Sequence, residues 1–124
     1  MRIFKSKMFS KWAAKEGLTD EVLKAAVTEM ENGLIDADLG GNVYKKRAAI
    51  DGQGKSGGLR TILAFKVGNK SFFMFGFAKN QQDNVNKKEL KALKLMAKNL
   101  LGYSNKKLNN ALNASELIEV DNDE

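Results

Sequence analysis

Between Val43 and Gln82 the chain carries eight basic side chains, Lys45, Lys46, Arg47, Lys55, Arg60, Lys66, Lys70 and Lys79, against one acid, Asp51. Cations at that density point to a polyanionic partner, and arginine and lysine hold phosphate oxygens well where negative charge develops. Other chemistries are excluded by what is missing. The 124 residues contain no cysteine and no histidine, which removes disulfides, thiol nucleophiles, thiolate zinc sites and imidazole bases. Any catalysis must use Lys, Arg, Asp, Glu, Tyr or Ser. The formal net charge of +6 is unevenly spread, with +9 over residues 1–103 and −3 over residues 104–124.

The segment GQGKSGGLRTILAF, residues 52–65, sets four glycines around Lys55 and Ser56. A phosphate cradle of the P-loop kind needs G-x-x-x-x-G-K-S/T and then a helix whose free N–H groups face the phosphates. Gly54, Lys55 and Ser56 supply the last three positions, but the first falls on Ala49 and a strand-like run follows. Taken alone, the segment reads as a plain flexible connection between two basic strands, with contact of Lys55 to an RNA phosphate as the alternative.

Those strands must be positioned by the rest of the chain. Residues 7–16 place Phe9, Trp12 and Ala13 toward one side and Lys7, Lys11 and Lys15 at a spacing of four, which predicts a short helix ended by Gly17. Thr19 caps a second helix with the stripe Val22, Leu23, Ala26, Val27 and Met30, closed by Gly33. Two helices are therefore expected first. Gly40 and Gly41 break the chain, and residues 43–50 read as a strand. Along residues 59–67, Leu59, Thr61, Leu63, Phe65 and Val67 take one side and Arg60, Ile62, Ala64 and Lys66 the other. Arg60 thus sits among apolar neighbours, where an isolated charge needs a reason. Gly68-Asn69 is expected as a two-residue hairpin loop.

KSFFMFGFAK is apolar on both sides and so belongs in the centre of a sheet. On its even side, Phe72, Met74, Gly76 and Ala78, the loss of bulk at Gly76 invites close packing. Residues 86–101 return to helical period around Leu90, Leu93, Met96, Ala97, Leu100 and Leu101. The row Lys87, Lys91, Lys94 and Lys98 on the other side reads as a solvated face, with RNA backbone or an acidic partner as the alternative. Ser104 caps a short helix to Leu112 or Asn113, and ELIEVDNDE offers a brief edge strand and a solvated acidic end. The layout is two helices, three antiparallel strands, a helix and a C-terminal helical extension, which is α+β with the helices segregated from the sheet.

The stretch GLIDADLGGNVYKKRAAIDGQGKSGGLRTILAF, followed by FFMFGFAKNQQDNVNKKELKALKLMA, resembles the RelE/HigB-type toxins of bacterial type II toxin–antitoxin modules. It is similar to a subgroup with a G-K-x-G-G-x-R-x-I/L strand and a strand end G-F-A-K-N. The resemblance spans roughly residues 1–101 and divides the chain into a RelE-like toxin domain, 1–103, and an extension with an acidic tail, 104–124. It implies a small sheet with two helices on one side and a basic concave face opposite. It also implies an endoribonuclease acting on mRNA, usually in the ribosomal A site, and an antitoxin partner with a helix-turn-helix domain. The cationic pair of the family falls on Lys45 and Arg47, the arginine of the next strand on Arg60, and the basic residue closing the apolar strand on Lys79. Asn80 stands where the family type has a strand-end arginine, Asn86 where it has a catalytic tyrosine, and Gln82 where nearer relatives often have arginine.

Metal-free RNA cleavage by attack of the ribose 2′-oxygen needs a base, stabilisation of the phosphorane, and a proton for the leaving 5′-oxygen. Arg47 and Arg60 are assigned to the phosphorane, and Lys79 or Lys45 to proton transfer, since a lysine crowded by cations releases its proton more readily. Lys46, Lys55, Asn80 and Gln82 are expected to contact RNA, and Tyr44 and Tyr103 are the aromatics outside the expected core. No metal or cofactor is expected. The alternative is a basic nucleic-acid- or protein-binding module of the same fold without chemistry. MRIFKSKMFSKWAAK has no apolar core for a signal, and no run approaches the roughly 18–20 apolar residues of a membrane span, so the cytoplasm is the expected compartment.

Overall fold

The computed structural model describes residues 1–50 and 54–120, with side chains described for 1–48 and 58–120. In chain order the elements are β1 (Ile3–Ser6), α1 (Lys7–Glu16), α2 (Asp20–Glu31), β2 (Ala37–Gly40), β3 (Val43–Ile50), β4 (Gly54–Phe65), β5 (Ser71–Ala78), α3 (Lys87–Leu101), α4 (Asn105–Asn113) and β6 (Leu117–Glu119). The strands form one sheet in the order β2-β3-β4-β5-β1-β6. Every pairing is antiparallel except that of β1 with β5. The fold is the expected α+β class. Two of its strands correct the expected layout. A strand, not a helix, comes first: IFKS is too short for alternation to register, and Lys5 interrupts it. Ala37–Gly40 also form a short β2, joined to β3 by a turn with Gly41 and Asn42 both at positive φ.

β5 lies inside the sheet, between β4 and β1, as its doubly apolar sequence requires. Phe4 stacks on Phe72 on one side of the sheet and Phe9 on Phe73 on the other, each pair with centroids 5.2 Å apart. All four rings are fully buried, and burial of each stabilises the fold by roughly 1.5–3 kcal/mol. Ser6 joins these parts: its hydroxyl caps α1 at Phe9 N and donates to the Met74 carbonyl.

The strict alternation expected along β5 is broken at Met74. Ile62 pairs with Phe75 and Leu63 with Phe73, so Met74 is the extra residue of a bulge. Phe72, Met74, Phe75 and Phe77 therefore face one way, while Phe73, Gly76 and Ala78 face the other. The close packing expected at Gly76 is present, since a Cβ there would collide with the Trp12 ring. The β4–β5 connection differs from the two-residue loop expected. The strands end at Phe65 and resume at Ser71, and Asn69 N donates to Lys66 O around Val67 and Gly68. Val67, expected on the same side as Leu63 and Phe65, lies beyond the strand and is exposed.

α1 and α2 cover one face of the sheet over Ile3, Ala48, Leu59, Leu63, Phe65 and Phe73. α3 and α4 cover part of the other over Phe4, Val43, Ile62, Ala64 and Phe72. Ser104 caps α4 as expected, and β6 pairs with β1 at the sheet edge. Leu108, Ala111 and Leu117 are buried in the same cluster as α3. Among the described residues no helix is long and apolar enough to cross a membrane.

Candidate functional site

β3 and β4 decide where the basic residues go. Their register is continuous from Val43↔Ala64 to Ala48↔Leu59, so side chains alternate strictly across this stretch. Val43 and Ile62 lie under α3, which puts Lys45, Arg47 and Arg60 on that same face, beyond the edge of the apolar cluster. Arg47 and Arg60 are direct partners across the ladder. Lys79 follows β5 immediately, and its N–H donates to Gly58 O, extending the β4–β5 ladder by one step. A Cβ on Gly58 would lie 3.9 Å from Lys79 Cβ. The four residues assigned to chemistry, Lys45, Arg47, Arg60 and Lys79, are thus brought to one side at one end of the sheet.

Like charges directly opposed on a ladder repel. Asp36, just before β2, offsets this: its carboxylate accepts from both the backbone N–H and Nε of Arg47. The clamp fixes the guanidinium at Nε. Arg60 is half-buried beside Ile62 and Phe77, and its Nη1 donates to Leu59 O. Lys45 is half-buried and Lys79 exposed. Asp36 has no spacing that ties it to Arg47 in the sequence; only the β2–β3 hairpin brings them together.

The expected RNA contacts divide. Lys46 is corrected: parity places it on the face covered by α2, where it is 4 % exposed. Its ammonium lies 2.9 Å from Glu29 and donates to Leu34 O, which makes it a structural ion pair. Tyr44 is corrected for the same reason; its ring packs edge-on to Phe65 under the helices. Asn80 is exposed in the turn after β5, while Gln82 is half-buried and spends its amide on Asn84 O. The side chain of Lys55 lies outside the described residues. Asn86 caps α3: its side chain accepts from Glu89 N, and the Glu89 carboxylate accepts from Asn86 N. Tyr103 lies away from these cations at the end of α3, with the Lys107 ammonium 4.8 Å from its ring centroid. Among the described residues, no group of three or more Asp, Glu, His or Cys could hold a metal ion.

Comparison with known proteins bears on this arrangement. A family model described as the RelE toxin of the RelE / RelB toxin–antitoxin system matches residues 1–120. No curated protein is significantly similar in sequence.

Proposed function

The chain belongs to the RelE toxin family, the toxins of toxin–antitoxin systems whose cognate partner is a RelB-type antitoxin, and from that premise we propose that it is a metal-independent endoribonuclease that cleaves mRNA, in association with the ribosome, and so stops translation. The observation that carries the reading is the juxtaposition of Arg47, Arg60 and Lys79 on the face that α1 and α2 leave free. In the proposed reaction the 2′-oxygen attacks the adjacent phosphorus, a 2′,3′-cyclic phosphate forms, and the 5′-oxygen leaves with a proton. Arg47 and Arg60 neutralise the phosphorane, where charge develops in the transition state. Lys79 or Lys45 takes the 2′-hydroxyl proton and returns one to the leaving oxygen. An antitoxin with a helix-turn-helix domain would silence the toxin, and the cytoplasm would be the site of action.

A second reading rests on Asn86. Where the family type places a catalytic tyrosine, this side chain closes a capping box and supplies no proton. A non-catalytic RNA-binding module of the same fold would tolerate that. Induced expression in a bacterial host, with the RNA followed by primer extension, separates the two. Growth arrest with discrete cleavage, relieved in the folded Arg60→Ala variant, supports the enzyme. RNA bound by the purified chain and recovered uncut, with or without ribosomes, supports the module.

A further inference from the structure

At the opposite end of the sheet from Arg60, a cleft of about 420 Å³ opens between the end of α3 and the tips of two hairpins. It is lined by Lys66, Lys94 and Lys98, by Asn42 and Asn69, and by Gly41, Leu101 and Gly102. No acidic side chain is among these described residues. We propose that this cleft is a second binding site for the phosphate oxygens of an RNA strand, separate from the site of cleavage. The proposal rests on RNA being the ligand of the cationic face and adds where the rest of the strand is held.

Three lysines reach the cleft from two elements far apart in sequence, so the charge is assembled by the fold. Lys94 and Lys98 come one turn apart on α3, and Lys66 from the loop after β4. Lys94 is held in place. Its stem runs along Gly41, where a Cβ would lie 3.5 Å from Lys94 Cγ, and its Nζ would be 3.2 Å from a Cβ on Gly40. Gly40 and Gly41 both have positive φ, so the turn that leaves this space strongly favours glycine. The amides of Asn42 and Asn69 add groups that can donate to an anion.

Other charges nearby act against an anion. α3 ends at Gly102, and a helix C-terminus carries about half a negative charge. Asp38 sits by the same turn, with its carboxylate accepting from Gly40 N. Three ammonium groups exceed both. The cleft is also well separated from the proposed cleavage site. From Val43 to Arg47 is four residues of strand, roughly 13 Å at a rise of about 3.3 Å per residue. One extended RNA can therefore meet both ends without the sites competing for the same phosphate.

The test measures affinity of the full chain for a 20-nucleotide single-stranded RNA across salt, with Arg60→Ala as the non-cleaving background. Each phosphate contact contributes about 0.7 to the log–log slope. Replacing Lys66, Lys94 and Lys98 by Ala removes about 2 from the slope, which shrinks the loss of affinity between 50 and 200 mM salt by roughly 16-fold. Lys66→Ala with Lys98→Ala, which leaves the packed stem of Lys94 in place, removes about two-thirds of that effect and guards against a folding defect. An unchanged slope in both variants, with RNA still bound, overturns the cleft and leaves the cleavage reading standing. No RNA bound by the unaltered chain overturns both. Equal weakening of a poly-glutamate of matched charge also overturns the proposal, because the cleft is then a general polyanion patch.

Discussion

Lys46 and Arg47 are neighbours in β3 and meet opposite environments. Lys46 is buried under α2, bound to Glu29 and to a backbone carbonyl. Arg47 stands on the other face, opposite Arg60, with nearly half of its side-chain surface open. Lys5 repeats the first case, with its ammonium 2.8 Å from Asp20 of α2. On the face covered by α1 and α2, cations complete the packing of helix on sheet. On the other face, beyond α3, they lie outside the apolar cluster, and the proposed function gives them to RNA. A count of basic residues cannot separate the two roles, but strand parity can.

The comparison breaks first at Arg60. Arg60→Ala should lower RNA cleavage by about 100-fold, the lower range for losing one donor to a developing oxyanion. Its melting temperature should change little, and a single-turnover assay with a defined RNA gives the number. If cleavage falls less than fivefold, the cationic face is a binding surface and the chemistry lies elsewhere.

Lys46→Ala should do the reverse. Removing one partner of a fully buried ion pair costs about 3–5 kcal/mol, but Glu29 is partly open and can regain water, so about 2 kcal/mol is expected. Denaturant unfolding reads this, and the folded fraction should still cleave RNA. Exchanging both partners for methionine should recover most of the loss, since an apolar pair of similar volume can replace a buried salt bridge. A Lys46→Ala protein of unchanged stability and lost RNA binding would invert the assignment of the two faces.

Asp36 sharpens the comparison, because its carboxylate binds Arg47 of the cationic face. Asp36→Ala frees Arg47 and removes a negative charge. Stability should fall by about 1 kcal/mol, the scale of an exposed charge-assisted hydrogen bond. RNA affinity should rise about threefold while the cleavage step slows, because the guanidinium loses its fixed orientation. Binding and single-turnover rates measured on the same RNA separate these effects.

How far these contrasts could be read from the chain depends on the signal each left. The helices were legible because Phe9 with Ala13, and Leu93 with Ala97 and Leu100, recur at helical spacing, and Ser104 and Thr19 stand at caps, while the cap at Asn86 was found only in the structure. The central place of β5 followed from its unbroken apolar run. β1 and β2 were not legible, since four residues carry too little alternation. The bulge at Met74 was invisible for another reason: it is fixed by pairing with β4 and by the fit of Trp12 over Gly76, which are tertiary facts. Within the site, the shared face of Lys45 and Arg47 followed from parity alone. Lys46 was misread because charge was weighed without parity. Asp36 was missed because its link to Arg47 exists only through the hairpin.

The smallest expected effect concerns the far edge of the sheet, where β6 pairs with β1 away from Arg47 and Arg60. Arg2 donates through Nε and Nη2 to both oxygens of Glu119, at 2.9 and 2.8 Å. The same guanidinium carbon lies 4.9 Å from the centroid of Phe4. The hydrogen bond and charge of Arg2 outweigh desolvation and hold the Glu119 carboxyl below its ordinary value of 4.5. A carboxyl with a lowered folded value binds fewer protons folded than unfolded. Its stabilisation is therefore fully present above about 4.5 and is lost as pH falls through the folded value. Both side chains are more than a third exposed, so solvent screening limits the pair to about 0.5 kcal/mol. Glu119→Gln should leave stability at pH 3 unchanged and lower it by that amount at pH 7. Amide exchange at Val120, whose N–H donates to Ile3 O, should quicken about twofold at pH 7. RNA affinity should stay the same within error. A loss of affinity in Glu119→Gln would mean that the edge strand reaches the cationic face energetically, and the separation between the two regions would have to be redrawn.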